Sequence, residues 1–270
     1  ALQGLPPSNG ARLIGMSKSG RNRPLPHGRK QKSEAADGPL WLWGNHAVEA
    51  ALANPARKAV RLVDTDNAAR RMGLEQAEMV TPKEIDRLLP PGAVHQGVAL
   101  ETEPLPSLAL EDMIAGGARR IAILDQLADP HNLGAIFRSA AAFGFDGVVL
   151  QTRHSPPITG IVAKSAAGGI ERVAECRVVN ISRALDALNE AGFTVIGLAG
   201  EADATLEDVL DGGPCAIVLG AEGSGLRPGV ASACTHLARI PMGGEMESLN
   251  VSNAAAIAFY LAAQGRLTRR

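Results

Sequence analysis

The stretch from Cys215 to Leu261 constrains this chain more than any other, because two apolar, strand-like runs end in glycine loops in quick succession and a helix follows. Cys215 to Leu219 passes at once into Gly220, Glu222, Gly223 and Gly225, so a buried strand ends in a loop whose backbone can approach a ligand closely. Leu237 to Ile240 ends in Pro241-Met242-Gly243-Gly244. Ser248-Leu249-Asn250 then lead into an Ala-rich apolar helix over about Val251 to Ala263.

The first loop is not a known phosphate cradle. Gly220 and Gly225 have Walker A spacing, but Leu226-Arg227 follow where a Lys would have to reach a phosphate. Gly223-Ser224-Gly225 would need a third glycine where Pro228 stands, so the dinucleotide turn is missing as well.

Upstream, strands are expected at Arg120 to Leu124, Gly147 to Leu150, Arg177 to Val179, Thr194 to Leu198, Ala216 to Leu219 and Leu237 to Ile240. They alternate with helical stretches, which is the pattern of a mainly parallel sheet covered on both faces. On pattern alone this is a doubly wound open sheet without a knot. The proline-bearing Thr102 to Leu108 separates it from a smaller α/β unit. That unit starts with a strand at Trp41 and a helix near Asn45 to Ala53, followed by a strand at Lys58 to Val63 and a helix near Asn67. Thr81-Pro82-Lys83-Glu84 is a capping box opening a helix to about Leu89, and a strand follows at His95 to Leu100.

Residues 1–33 carry seven Lys or Arg and no acid, a tail of about +7 on a body of about −8. Such an arm is either a polyanion-binding segment or a solubilising tail. The division expected is a disordered basic tail at 1–38, a substrate-binding unit at 39–101, a linker at 102–110 and a catalytic unit at 111–270, with Met16 a candidate start inside the tail. No run approaches membrane-spanning length, and three widely spaced cysteines indicate neither a disulfide framework nor a zinc site.

IVLGAEGSGL and IPMGGEMESLNVSNAAAI resemble the second and third motifs of the SpoU-TrmH (SPOUT) ribose methyltransferases. DPHNLGAIFRSA, Asp129 to Ala140, resembles the first, and the three stand in the family's order. GNHAVEAAL and HQGVAL resemble the substrate-binding domain of the subgroup that methylates a guanosine in large-subunit (23S) rRNA. The resemblance implies an α/β fold in which a trefoil-knotted, mainly parallel sheet is preceded by a smaller L30e-like RNA-binding domain. It further implies S-adenosyl-L-methionine held in the knotted loops without metal, methyl transfer to a ribose 2′-hydroxyl, and a cytoplasmic homodimer acting on RNA, with neither membrane nor DNA as partner. The rivals are a tRNA or rRNA-adenosine 2′-O-methyltransferase and a non-catalytic RNA-binding or ribosome-assembly protein.

By the same resemblance the catalytic set is Asn132, Arg138, Glu222, Ser248 and Asn250, and the cofactor-binding set is Leu198, Gly220, Ile240, Met242 and Leu249. Family analogy has Arg138 activate the hydroxyl. A guanidinium is almost never deprotonated, so stabilising the developing alkoxide charge suits it better. The alternative is a structural ion pair between Arg138 and Glu222. Asn132, Asn250 and Ser248 can orient a ribose without adding charge, but Asn250 and Ser248 can equally cap the last helix. Asp125 and His131 read as local turn residues, and His46 and His95 as either RNA contacts or structural hydrogen-bonding groups.

Overall fold

The computed structural model describes residues 40–74, 77–244 and 248–267, so the expectation of a flexible basic tail lies outside the described residues. The chain runs β1 (Leu40–Trp43), α1 (Asn45–Ala53), β2 (Ala59–Asp64), α2 (Asp66–Met72), β3 (Glu78–Met79), α3 (Pro82–Leu88) and β4 (Val98–Thr102). It continues with α4 (Leu110–Ala115), β5 (Arg120–Leu124), α5 (Pro130–Phe143), β6 (Gly147–Gln151), α6 (Gly160–Ala166), a 3-10 turn (Gly169–Glu171) and β7 (Ala174–Val178). Then come α7 (Ile181–Glu190), β8 (Thr194–Leu198), α8 (Leu206–Val209), β9 (Cys215–Leu219), α9 (Pro228–Ala231), β10 (His236–Ala238) and α10 (Val251–Leu267).

The first seven elements form a four-stranded mixed sheet, β1-β4-β2-β3. The expected capping box is present: the Glu84 carboxylate accepts from Thr81 N and Oγ1, both at 2.7 Å, which holds Glu84 below the usual carboxylate range.

The larger sheet has order β10-β8-β9-β5-β6-β7, and every pairing in it is parallel. Its central strands β9, β5 and β6 are buried along their whole length, as their apolar runs require, with only Arg120 at the start of β5 and Gln151 at the end of β6 polar, whereas the polar β7 and β10 lie at the edges. Alternate side chains feed two cores. Ala122, Leu124, Val148, Ile217 and Leu219 face α5, α6 and α10, while Ile121, Ile123, Val149, Ala216 and Val218 face α4 and α7. Phe145 and Phe259 stack at 4.1 Å between ring centres, pinning α10 beside the end of α5.

The two sheets share one core, because Leu42, Val48 and Leu100 of the front unit pack into the α5, α6 and α10 cluster. Contact is close enough to dictate glycines. A Cβ on Gly160 would lie 1.9 Å from the Trp43 ring, and one on Gly168 would lie 2.7 Å from Ala50 Cβ. Beside this seam the Glu171 carboxylate accepts from Arg57 Nη2 at 2.6 Å and from Asn54 Nδ2 at 2.7 Å, with both charged side chains almost fully buried.

Candidate active site

Three of the side chains expected to act together do meet. Asn132 stands in the first turn of α5, which Pro130 starts and Asp129 caps by accepting from His131 N. Its buried amide donates to Glu222 Oε1 at 2.8 Å. Asn250 Nδ2 donates to the same oxygen at 2.9 Å and to Asn132 Oδ1 at 3.1 Å. The opposite end of Asn250 caps α10, its Oδ1 accepting from Ser252 N at 2.9 Å. The capping and site roles of Asn250 are therefore not alternatives, since its oxygen serves one and its nitrogen the other. Ser248 is exposed and makes no hydrogen bond to the described residues.

Arg138 lies apart from this triad. Six residues along α5, it is about 240° round and about 9 Å along the helix from Asn132. It is exposed and, among the described residues, pairs with no acid. The ion pair with Glu222 considered from the sequence is absent, because Glu222 is taken up by two amide N–H groups. Arg138 shares a stripe of α5 with His131, seven residues before it, and His131 Nδ1 lies 3.3 Å from Ser165 Oγ of α6.

The glycine loop is a tight hairpin in which Ala221 and Gly225 exchange both backbone hydrogen bonds, at 3.1 and 3.0 Å. A Cβ on Gly220 would lie 2.2 Å from Gly225 C, so this close return of the backbone needs glycine. Glu222 projects from the hairpin toward the two asparagines.

A residue that the sequence reading did not single out holds the loop from behind. Arg227 Nε donates to Asp125 Oδ1 at 2.9 Å and Arg227 N to Asp125 Oδ2 at 3.2 Å, and the Asp125 side chain is fully buried. Asp125 is therefore not a local turn residue but a tie between the end of β5 and the glycine loop. One signal was available: an acid directly after the apolar run Ile121–Leu124 must find a partner. The next residue, Gln126, has φ 60, a conformation rarely used without glycine. His95 has a structural role, accepting from Gly97 N through Nδ1, while His46 stays exposed.

Leu198, Gly220 and Ile240 stand at or just beyond the ends of the adjacent strands β8, β9 and β10. Leu249 precedes Asn250 and so lies beside the glycine loop. Met242 and Leu249 are 40% and 38% exposed, which leaves apolar surface next to open backbone. A flat heteroaromatic group with polar edges fits that combination. The cysteines offer no nucleophile, since burial pushes Cys176 up to about 12 and Cys215 and Cys234 up to about 11.

The SpoU rRNA Methylase family model matches residues 119–260, and the model for RNA 2'-O ribose methyltransferase substrate binding matches residues 41–108. The 23S rRNA (guanosine-2'-O-)-methyltransferase RlmB of Xylella fastidiosa is 38% identical over 84% of this chain and 96% of its own. An uncharacterized tRNA/rRNA methyltransferase of Synechocystis is 37% identical over 88% of this chain, which spans 65% of that protein. The crystal structure of the SpoU methyltransferase AviRb from Streptomyces viridochromogenes with the cofactor AdoMet superposes with a TM-score of 0.71 at 22% identity, covering 86% of this chain and 92% of that one. With more than half its length matched by the family model and a near full-length relative above a third identical, the chain belongs to the SpoU rRNA methylase family.

Proposed function

We propose that the protein is an S-adenosyl-L-methionine-dependent methyltransferase acting on the ribose 2′-hydroxyl of a guanosine in 23S rRNA, in the cytoplasm. The observation that carries this reading is the Asn132–Glu222–Asn250 triad, which joins three motifs of the family at the ends of β5 and β9 and the start of α10. RlmB relatives at 36–38% identity support the substrate class.

The cofactor supplies an electrophilic methyl group when bound. The chain's own residues would do the rest. The strand ends at Leu198, Gly220 and Ile240, with the exposed Met242 and Leu249, would hold the adenosine against apolar side chains and backbone groups. The triad is a preorganised set of donors and acceptors that orients a ribose, and positioning of this kind can supply ~7 to 11 kcal/mol. Arg138, charged and without a partner among the described residues, would stabilise negative charge as it develops on the 2′-oxygen. Ser248, exposed beside the triad residue Asn250, can donate to the RNA. The trefoil knot belongs to this reading as well, supported by family membership and by the return of β10 to the edge beside β8.

Gly220→Ala is expected to weaken S-adenosylmethionine binding at least about tenfold, because its Cβ would collide with the Gly225 backbone and open the hairpin. Gly223→Ala, at φ 81 but facing open space, should cost less. Calorimetric titration of both variants checks this, and equal wild-type affinity for Gly220→Ala would remove the loop from the cofactor site.

The same reading includes a homodimer. Asn253, Ile257 and Tyr260 form an exposed stripe on α10 at helical spacing, with Ile257 38% and Tyr260 46% exposed. Sedimentation should return twice the chain mass, and Tyr260→Glu should shift it toward the monomer. The overall reading is tested by mapping rRNA 2′-O-methyls in cells with and without the gene. Loss of one guanosine methyl in 23S rRNA is expected, and a lost tRNA methyl instead would reassign the substrate.

A further inference from the structure

Two cations, Lys164 and Arg71, stand at the seam between the front unit and the methylase unit without an acid to neutralise them among the described residues. Lys164 of α6 is half-buried, and its Nζ donates to Gln96 Oε1 at 2.7 Å. Among the described residues it has no other hydrogen-bond partner and no ion pair. Burial unopposed by any acid holds its ammonium below the usual lysine range.

The backbone is shaped for this lysine. Its Nζ lies 2.1 Å from where a Cβ on Gly44 would be, with Gly44 at φ 84, and its acceptor Gln96 has φ 58. A non-glycine residue in that region carries strain that the surroundings must offset. Gln96 is held from the front unit too. Asn45 N donates to its Oε1 at 3.3 Å, and Arg71 Nη2 donates to its backbone oxygen at 2.9 Å and to Asn45 Oδ1 at 3.1 Å. Gly44 is also the N-cap of α1, so the ammonium sits at the positive end of a helix. A partly desolvated cation in a positive field, held by a strained glutamine and without a counter-charge among the described residues, is costly until an anion joins it.

The position relates to the candidate site. Ser165, the neighbour of Lys164, touches His131, and Arg138 lies one stripe-length further along α5. We infer that Lys164, positioned by Gln96 against Gly44 and flanked by Arg71, binds a backbone phosphate of the RNA strand where it crosses from the front unit to the catalytic unit. The inference rests on the RNA-methyltransferase reading and adds to it a contact from the methylase side of the seam.

The test is binding of an rRNA fragment to the full chain over a salt series. Lys164→Met, which keeps the aliphatic stem, should weaken binding about tenfold near physiological salt and lower the salt slope by about 0.7 to 0.9, the loss of one phosphate contact. Arg71→Gln, at an exposed position, should lower it further. Lys164→Arg should recover most of the affinity, and S-adenosylmethionine affinity and melting temperature should stay near wild type. An unchanged salt slope overturns the proposal, and so does a lowered melting temperature with unchanged RNA affinity, which would make Lys164 a tie to Gln96 only. Because binding and not turnover is read, RNA that binds but is never methylated would sink the enzymatic reading and leave this inference decided by the slope.

Discussion

Arg138→Ala should slow single-turnover methyl transfer by about 100-fold or more, the loss typical of removing one donor to a developing oxyanion. The melting temperature and S-adenosylmethionine affinity should barely move. The structure sharpens this expectation, because Arg138 is exposed and has no acid partner among the described residues, so no internal contact is lost with it. Arg138→Lys separates two forms of the role: a bidentate fork on the ribose oxygen and a phosphate leaves lysine poorly active, whereas a point charge leaves it partly active. Glu222→Ala should behave differently. It strips the acceptor from the buried Asn132 amide and from Asn250, and should lower stability as well as rate. Since Arg138 and Glu222 do not touch, their effects on stability should add in the double mutant. An Arg138→Ala protein with near-normal transfer rate would remove the residue from the chemistry.

Glu171→Ala should be the most damaging change to stability. It leaves the Arg57 guanidinium, whose side chain is 1% exposed, and the Asn54 amide facing an empty acceptor position at the seam between the units. Breaking a buried pair in this way costs about 3–5 kcal/mol. For a chain of this size the melting temperature should fall by roughly 6 to 20 °C. The double change Arg57→Met with Glu171→Met should recover most of the loss, because the apolar core shared by Leu42, Val48 and Leu100 still joins the units. Thermal unfolding of the three proteins decides the matter. An unchanged melting temperature for Glu171→Ala would mean that the pair is solvated and the front unit is not docked as described.

What could be read from the sequence follows from range. The central strands were legible because Arg120–Leu124 and Cys215–Leu219 are apolar at every position but the first or nearly so, and burial on both faces leaves that trace. The Thr81–Glu84 box was legible because its partners are three residues apart. Edge strands were misplaced. β7 starts at Ala174, upstream of the expected Arg177, since Ala-Glu-Cys-Arg-Val has no clear alternation. β10 ends at Ala238 and not Ile240, because its partner β8 stops at Leu198 and the Arg239 backbone pairs with Thr205 instead. The ties Arg57–Glu171 and Asp125–Arg227 join residues more than a hundred positions apart, and a charged residue in a sequence does not name its distant partner. The site motifs were recognisable, but their geometry was not. That Glu222 holds two asparagines, and that Arg138 stands apart from them, depends on where three strand ends and two helices converge.

The central claim is methyl transfer to a ribose oxygen of 23S rRNA. Purified protein, S-adenosylmethionine labelled in its methyl group and unmodified 23S rRNA should yield label in a single 2′-O-methylguanosine after complete nuclease digestion. Asn132→Ala and Arg138→Ala should yield little or none. Label on a base, on tRNA alone, or on no RNA with a cofactor-binding wild-type protein would contradict the account.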